Sequence, residues 1–179
     1  INTPNYPKHS VEILIKEDTF EWTVGHKRNF LLSKAKGKFV VFIDDDDMVV
    51  TDYCQAICEV ILNNPKIDCI AYDCKFIHAQ EPVKSKRSIH RLETKQWKDE
   101  KHQYLRGICH INPIKRSILE GLEFPDKSWQ EDFEFQKLYM PKLKKQYILD
   151  REMYIYLYDI NKSLSFPQWV QKNVYQQSL

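Results

Sequence analysis

The sequence predicts an α/β fold in which a mostly parallel sheet carries helices on both faces. Early in the chain, strand-like apolar runs alternate with helix-like segments, as in consecutive strand–helix–strand units. Residues 38–43 (KFVVFI) are almost continuously apolar, which is typical of a parallel strand covered on both faces. The 179 residues suffice for a domain with its own core. We therefore assign residues 1–166 to one domain and residues 167–179 to a polar tail.

The first predicted strand and helix occupy residues 11–37. Residues 11–18 (VEILIKED) read as a short buried strand that ends in acidic residues. A turn is predicted at Gly25, followed by a helix that stops at Gly37. Residues 38–43 then form the second predicted strand.

The middle of the chain begins with a second predicted helix, capped by Thr51 or Asp52. Its apolar positions recur with helical spacing at Tyr53, Ala56, Ile57, Val60 and Ile61. Residues 67–77 (IDCIAYDCKFI) predict a third strand. The following segment, residues 79–103, is polar, rich in Lys, Arg and His, and without clear periodicity. It is read either as a flexible surface excursion or as a loop that faces the substrate.

The last third of the chain mixes strands and helices. Residues 104–111 (YLRGICHI) predict a strand, and Asn112–Pro113 opens a short helix with Asn as N-cap and Pro at N1. A further helix covers residues 128–140, with Ser128 and Glu131 spaced as a capping box. Two late strands are predicted over residues 146–150 and 152–159.

The bulk composition excludes several classes of protein. A net charge of +2 gives no support for a nucleic-acid partner. No apolar run approaches the 18 residues of a membrane span, although peripheral contact with a membrane stays compatible with the sequence. The five cysteines lack zinc-site spacing, and the first ten residues lack the features of a signal peptide. We therefore expect free thiols and a cytoplasmic location.

Two predicted strands end in acidic residues, at 17–18 and at 44–47. Adjacent carboxylates raise one another's pKa, so four in a row are costly unless water or a cation compensates them. Ligands of open α/β sheets bind beyond the carboxyl ends of the strands, where both acidic sets would line one crevice. Such carboxylates suit Mg²⁺ or Mn²⁺ bound together with phosphate oxygens. The alternative is an acidic loop that caps the helix after Thr51.

A basic segment, residues 25–29 (GHKRN), lies between the two acidic sets. It coincides with a predicted helix N-terminus, where free N–H groups and the helix dipole favour anions. It is either an anion-binding segment or a solvated basic turn.

Taken in order, VEILIKED, GHKRN, FVVFIDDDD, WQEDFEF and YIYLYDINKSLS resemble the motifs of GT-A glycosyltransferases of the family 2 type. The resemblance extends over residues 11–166, and it depends on the order and spacing of the motifs together. It implies a GT-A, Rossmann-like fold and transfer of a sugar, UDP-linked by expectation, from a nucleotide to an acceptor hydroxyl with inversion. It also implies Mn²⁺ or Mg²⁺ as cofactor and a carbohydrate or glycan-bearing acceptor.

The resemblance also implies roles for individual residues. The residues expected to bind the nucleotide-sugar are Glu17 and Asp18 at the base, Lys27 and Arg28 near the diphosphate, and Asp44 and Asp45. Asp44 is directed toward the ribose, whereas Asp45 occupies the variable position of the Asp-x-Asp motif. The expected metal ligands are Asp46 and, as a helper, Asp47. Asp132 is the expected catalytic base, and its neighbours Trp129 and Glu131 lie on the acceptor side.

Single residues near the base also have structural interpretations. For Glu131 the capping box is the preferred role, and Asp132 alone could simply offset the helix dipole. Trp129 could equally stack on a sugar ring or pack in the core.

Two departures from the family pattern stand out. An apolar first strand normally precedes the acid-ended one, but here only ten residues precede Val11, so that strand is absent from the given chain. A missing central strand would expose a sheet edge and remove part of the nucleotide site. In addition, Asp159 occupies a position where a basic residue is common, which affects the expected loop over the diphosphate.

Two other functions remain open from the sequence. A phosphohydrolase of the haloacid dehalogenase type would use Asp44 as its nucleophile, although that motif normally lies on the first strand. A non-catalytic domain that binds a sugar nucleotide is the second alternative, supported only by the missing strand.

Overall fold

The computed structural model describes residues 11–158, which form one open, mixed sheet of eight strands with four α-helices. The strands are β1 (Phe39–Val40), β2 (Met48–Val49), β3 (Cys69–His78), β4 (Lys86–His90), β5 (Lys98–Asp99), β6 (Gln103–Arg106), β7 (Ile114–Lys115) and β8 (Gln146–Tyr158). The helices are α1 (Val24–Lys34), α2 (Tyr53–Asn63), α3 (Arg116–Leu119) and α4 (Glu131–Tyr139).

The central strand β3 separates two apolar cores, because successive side chains of a strand point to opposite faces. Ile70 and Tyr72 pack in the core beneath α2. Cys69 and Ala71 pack on the other face, in the core that contains Phe135 of α4. The predicted α/β class with helices on both faces of the sheet is therefore confirmed.

The sheet is mixed rather than uniformly parallel in the described part of the chain. Only the β3–β8 and β4–β6 pairs are parallel, whereas the other five pairs are antiparallel. The two early segments expected to form the parallel core contribute little to pairing. Of residues 38–43, only Phe39 and Val40 are strand, and they pair antiparallel with β7.

Residues 11–18 are not assigned to a strand, which corrects the first predicted element. Ile13 and Ile15 remain 78% and 76% exposed, so their apolar pattern has no partner among the described residues. An open apolar cavity of about 410 Å³ lies beside this segment, lined by Val11 and Leu14 and by residues 37–43. A strand cannot form without a hydrogen-bonded neighbour, and this cavity separates the two segments that were expected to belong to the parallel core.

Helix α1 begins before the predicted turn at Gly25. Its N-cap is Thr23, whose hydroxyl accepts a hydrogen bond from His26 N–H at 3.1 Å. Gly25 lies in the first helical turn, where a Cβ atom would come within 1.9 Å of the Pro125 carbonyl oxygen. This glycine is therefore needed for close packing rather than for a turn.

Helix α2 agrees with the sequence prediction. It buries Tyr53, Ala56, Ile57 and Val60 on one face, as the apolar spacing indicated. Asp52 is its N-cap residue, but the carboxylate makes no capping bond and pairs with Arg151 at 2.7 Å instead.

The polar segment after β3 is not wholly irregular, because it contains short strands. It forms a short 3-10 helix and then β4, β5 and β6, which extend the sheet to its far edge. The strand predicted over residues 104–111 ends at Arg106. Asn112 is not an N-cap, because its buried side chain contacts His90 at 3.0 Å and accepts a hydrogen bond from Cys109 N–H.

The late part of the chain contains one long strand, β8, where two strands were predicted. The proposed tail at residues 167–179, the motif at residues 159–166 and the remark on Asp159 lie outside the described residues. Within residues 11–158, no helix has the length and apolar character needed to cross a bilayer. All five cysteines are free thiols, as expected.

Candidate active site

The four consecutive aspartates form a tight turn directly after the β1 segment. The turn is closed by a 3.2 Å hydrogen bond from Asp47 N–H to the Asp44 carbonyl oxygen. Asp45 and Asp46 occupy its exposed tip, whereas Asp44 and Asp47 point into the protein. The four aspartates therefore fall into two pairs: Asp44 and Asp47 are partly buried, whereas Asp45 and Asp46 face solvent.

Arg28 anchors Asp44 from helix α1. Its guanidinium donates to Asp44 Oδ1 at 2.7 Å and to Glu131 Oε1 at 2.8 Å, and the residue is only 8% exposed. Burial disfavours the charged guanidinium, but the Asp44 and Glu131 carboxylates outweigh burial and raise the pKa of Arg28. Arg28 was predicted to lie near the diphosphate, and each of its two terminal nitrogens donates a hydrogen bond to a carboxylate of the site.

His110 holds the second oxygen of Asp44, and sequence reasoning missed this residue. Its Nε2 lies 3.3 Å from Asp44 Oδ2, and its Nδ1 lies 3.2 Å from Asp132 Oδ2. The Nδ1 contact has an ion-pair distance, but its angle falls outside regular hydrogen-bond geometry. Burial and Arg28 lower the pKa of His110, whereas the two carboxylates raise it and prevail. No motif in the sequence points to His110.

The electrostatic balance keeps Asp44 and Asp132 ionised. Burial alone would raise the pKa of each carboxyl, but the charges of His110 and Arg28 outweigh burial and hold both pKa values well below the usual range. An ionised Asp132 is the form that can accept a proton.

Asp47 is held by strand β8. Its Oδ2 accepts a hydrogen bond from the Tyr154 hydroxyl at 2.7 Å, and its Oδ1 accepts one from Leu157 N–H at 2.9 Å. Burial raises the pKa of Asp47 to about 6, despite these hydrogen bonds. Both oxygens are thus engaged in fixing the turn against the sheet.

Asp46 is the carboxylate best placed to meet a cation. It is exposed at the tip of the turn, and burial together with the charges of Asp44 and Asp45 raises its pKa. Among the described residues, no group of three or more His, Cys, Asp or Glu is arranged to hold a metal. The donor set fits a cation bound jointly by Asp46 and phosphate oxygens, which is how Mg²⁺ is usually held, better than a protein-only cage.

The residues predicted to meet the nucleotide base, Glu17 and Asp18, lie in the segment that precedes α1. Asp18 accepts a hydrogen bond from Trp22 N–H at 2.9 Å and pairs with Lys27 at 3.1 Å, and both contacts lower its pKa. Glu17 is exposed. The adjacent Lys27 and Arg28 hold Asp18 and Asp44 respectively, so this turn of helix connects the two acidic sets.

Helix α4 places Glu131 and Asp132 at its first turn. The predicted capping box is wrong, because the helix begins after Gln130, which has a left-handed backbone and makes no side-chain cap. Ser128 Oγ instead accepts a hydrogen bond from Val24 N–H at 3.2 Å. Glu131 is buried against Arg28. Trp129 is 46% exposed and therefore is not a core residue.

The profile described as "Glycosyl transferase family 2" matches residues 6–122, and the chain belongs to this family. This match favours the glycosyltransferase assignment over the haloacid dehalogenase alternative.

Solved structures of S. aureus TarS resemble the chain in fold. TarS 1–349 in complex with UDP-GlcNAc aligns with a TM-score of 0.56 and 16% identity over 76% of this chain and 39% of that chain. The complex of TarS 1–349 with UDP aligns with a TM-score of 0.53 and 17% identity over 76% of this chain and 40% of that chain. Another S. aureus TarS structure aligns with a TM-score of 0.54 and 17% identity over 76% of this chain and 24% of that chain. The chain thus spans about two fifths or less of these proteins. A comparison with curated proteins finds no match.

Proposed function

We propose that the chain is the catalytic part of a glycosyltransferase that moves a sugar from a UDP-linked donor to an acceptor hydroxyl, with Asp132 as base. The observation that carries this proposal is the 3.3 Å and 3.2 Å bridge from Asp44 through His110 to Asp132. It joins the Asp-x-Asp turn to the Glu-Asp pair of α4, which are the two motifs required by the donor and by the acceptor.

The UDP-linked donor is supported by the fold neighbours. TarS structures hold UDP-GlcNAc and UDP, and these proteins share the fold of this chain at low sequence identity. In this proposal Asp18 and Lys27 lie on the nucleotide side of the site, and Asp44 faces the ribose.

Acid–base chemistry gives Asp132 its role. The acceptor hydroxyl loses a proton as it attacks the anomeric carbon, and a carboxylate within about 3 Å can take that proton. Asp132 is ionised and lies on the opposite side of His110 from Asp44. Attack from that side with departure of the diphosphate from the other inverts the anomeric centre.

A divalent cation, Mn²⁺ or Mg²⁺, is proposed at Asp46. When bound, the cation would offset the negative charge that develops on the leaving diphosphate. Asp46 supplies the protein oxygen, whereas Asp47 fixes the turn through Tyr154 and Leu157. Burial and neighbouring charges raise the pKa of Asp46, so a cation there also relieves repulsion within the aspartate run.

Calorimetric titration of UDP tests the donor and the cation together. We expect Mn²⁺ to tighten UDP binding about tenfold, or ~1.4 kcal/mol, comparable to one charge-assisted contact. Asp46→Asn should abolish this gain, because the substituted side chain is neutral. Asp45→Asn is the matched control, since Asp45 is exposed in the same turn.

The outcomes separate the parts of the proposal. If Mn²⁺ tightens UDP binding equally in Asp46→Asn and in the unsubstituted chain, Asp46 does not bind the cation. UDP binding with no release of sugar from any donor would favour the non-catalytic alternative, and a complete lack of nucleotide binding would contradict the proposed function.

A further inference from the structure

His110 is fixed to the aspartate turn by its backbone as well as by its side chain. Its carbonyl oxygen accepts a hydrogen bond from Phe42 N–H at 3.0 Å, two residues before Asp44. Its side chain is only 11% exposed and lies between two carboxylates. The imidazole therefore has little freedom to move independently of Asp44.

Two basic side chains connect Asp44 to the start of α4. Arg28 links Asp44 Oδ1 to Glu131, and His110 links Asp44 Oδ2 to Asp132. Because Glu131 and Asp132 are adjacent in the chain, these contacts close a ring around the site. Arg28 fixes the helix end itself, whereas His110 contacts the side chain that acts on the acceptor.

We propose that His110 is a positioning residue that sets the Asp132 carboxylate relative to the donor held at Asp44. This inference rests on the proposed function. His110 contacts Asp132 through Oδ2 at 3.2 Å. In this inference Oδ2 is held by the protein, and Oδ1 is the oxygen that accepts the proton of the acceptor hydroxyl.

The position of the base matters because misplacement by about 1 Å can cost on the order of 100-fold in rate. Without His110, Asp132 would keep its place on the helix but lose the contact that fixes its carboxylate. The donor would still be held by the residues proposed on the nucleotide side of the site, Asp18 and Lys27. Loss of His110 should therefore reduce the chemical step more than it reduces donor binding.

Steady-state transfer by His110→Gln tests this inference, since the glutamine amide cannot reach both carboxylates at once. We expect kcat to fall about 10- to 100-fold. The dissociation constant of UDP should change little. His90→Gln is the control, because His90 is also buried but contacts Asn112 and Ser88 rather than a carboxylate. That variant should lose stability without the selective loss of kcat.

A double-substitution cycle distinguishes positioning from a general structural effect. Asp132→Glu keeps a carboxylate but displaces it, so adding His110→Gln should cost much less than it costs the unsubstituted chain. Additive losses would overturn the inference, as would an unchanged kcat in His110→Gln or an equal loss of UDP affinity. An unsubstituted chain that transfers no sugar from any donor would overturn both this inference and the proposed function, whereas the other results leave the proposed function intact.

Discussion

At the scale of single residues, the site is governed by which aspartates have partners. Asp44 has two cationic partners and is held ionised, whereas Asp47 has two neutral hydrogen-bond donors and a pKa of about 6. Two aspartates only three residues apart therefore have pKa values shifted in opposite directions, down for Asp44 and up for Asp47. The difference arises because hydrogen bonds from neutral groups compensate burial less than nearby positive charges do.

Asp47 gives a prediction about pH. Its pKa is raised in the folded state, so the protonated form favours folding, and this contribution is lost as pH rises through about 6. Asp47→Asn should therefore gain stability relative to the unsubstituted chain as pH rises from about 4 to about 6, the interval between the unfolded and folded pKa values of Asp47. Thermal unfolding in the presence of EDTA, with Asp45→Asn as control, measures the difference. A difference in unfolding temperature that stays constant or shrinks with rising pH would contradict the assignment.

The residue scale also shows what the sequence could and could not predict. The aspartates, Arg28 and the Glu-Asp pair were predicted to lie in the site because each belongs to a motif. His110 was not identified, since its role depends on a contact with residues 66 positions before it. Likewise, Glu131 fitted a capping box by spacing, but its partner is a buried arginine in a distant helix.

At the scale of elements, α1 and α4 position the site together. The loop before α4 packs on the start of α1, where Gly25 N–H donates to the Lys127 carbonyl oxygen at 2.9 Å. Asn29 exchanges hydrogen bonds with the backbone of Phe124 at 2.8 Å. Arg28 can reach Glu131 because these backbone contacts bring the two helix starts together.

Gly25→Ala should break this contact. The new Cβ would lie 1.9 Å from the Pro125 carbonyl oxygen, so the backbone must separate, at a cost of about 1–3 kcal/mol. Gly37→Ala is the control, because its Cβ would come no closer than 3.1 Å to the Phe39 carbonyl oxygen. Urea unfolding compares the free energies. Equal free energies of unfolding for Gly25→Ala and Gly37→Ala would contradict this, because they would show that the loop around Pro125 moves away without loss of stability.

Element prediction was accurate where the pattern was local. Helix α2 follows from the spacing of its own apolar residues, and β3 follows from one apolar run. Strand pairing was predicted poorly, because direction and register depend on distant segments. Residues 11–18 have the composition of a strand but no neighbour with which to form one in the described part of the chain.

At the scale of the whole molecule, the sheet divides the chain into a stable centre and an open side. The β3–β8 pair joins ten residue pairs in parallel, and β3 is buried through its first six residues. On the other side, an apolar cavity of about 410 Å³ lies between residues 11–14 and residues 37–43. The aspartate turn is the end of that second segment, and it is held in place by β8 through Asp47.

This arrangement explains how the site is organised beside an open part of the sheet. The Asp44 end of the turn is fixed by α1 and by His110, and the Asp47 end is fixed by Tyr154 and Leu157. None of these contacts uses residues 11–18. The carboxylates that we propose to act in sugar transfer are therefore positioned by contacts within the described residues.

Sugar transfer by Asp132→Asn tests the central claim most directly. Release of nucleoside diphosphate is measured with a panel of UDP-sugars, acceptors and Mn²⁺, alongside UDP binding by the same variant. We expect the unsubstituted chain to transfer sugar, and we expect Asp132→Asn to bind UDP normally while transfer falls by about 100-fold or more, as loss of a general base predicts. Full transfer by Asp132→Asn would contradict the assignment of Asp132 as the base.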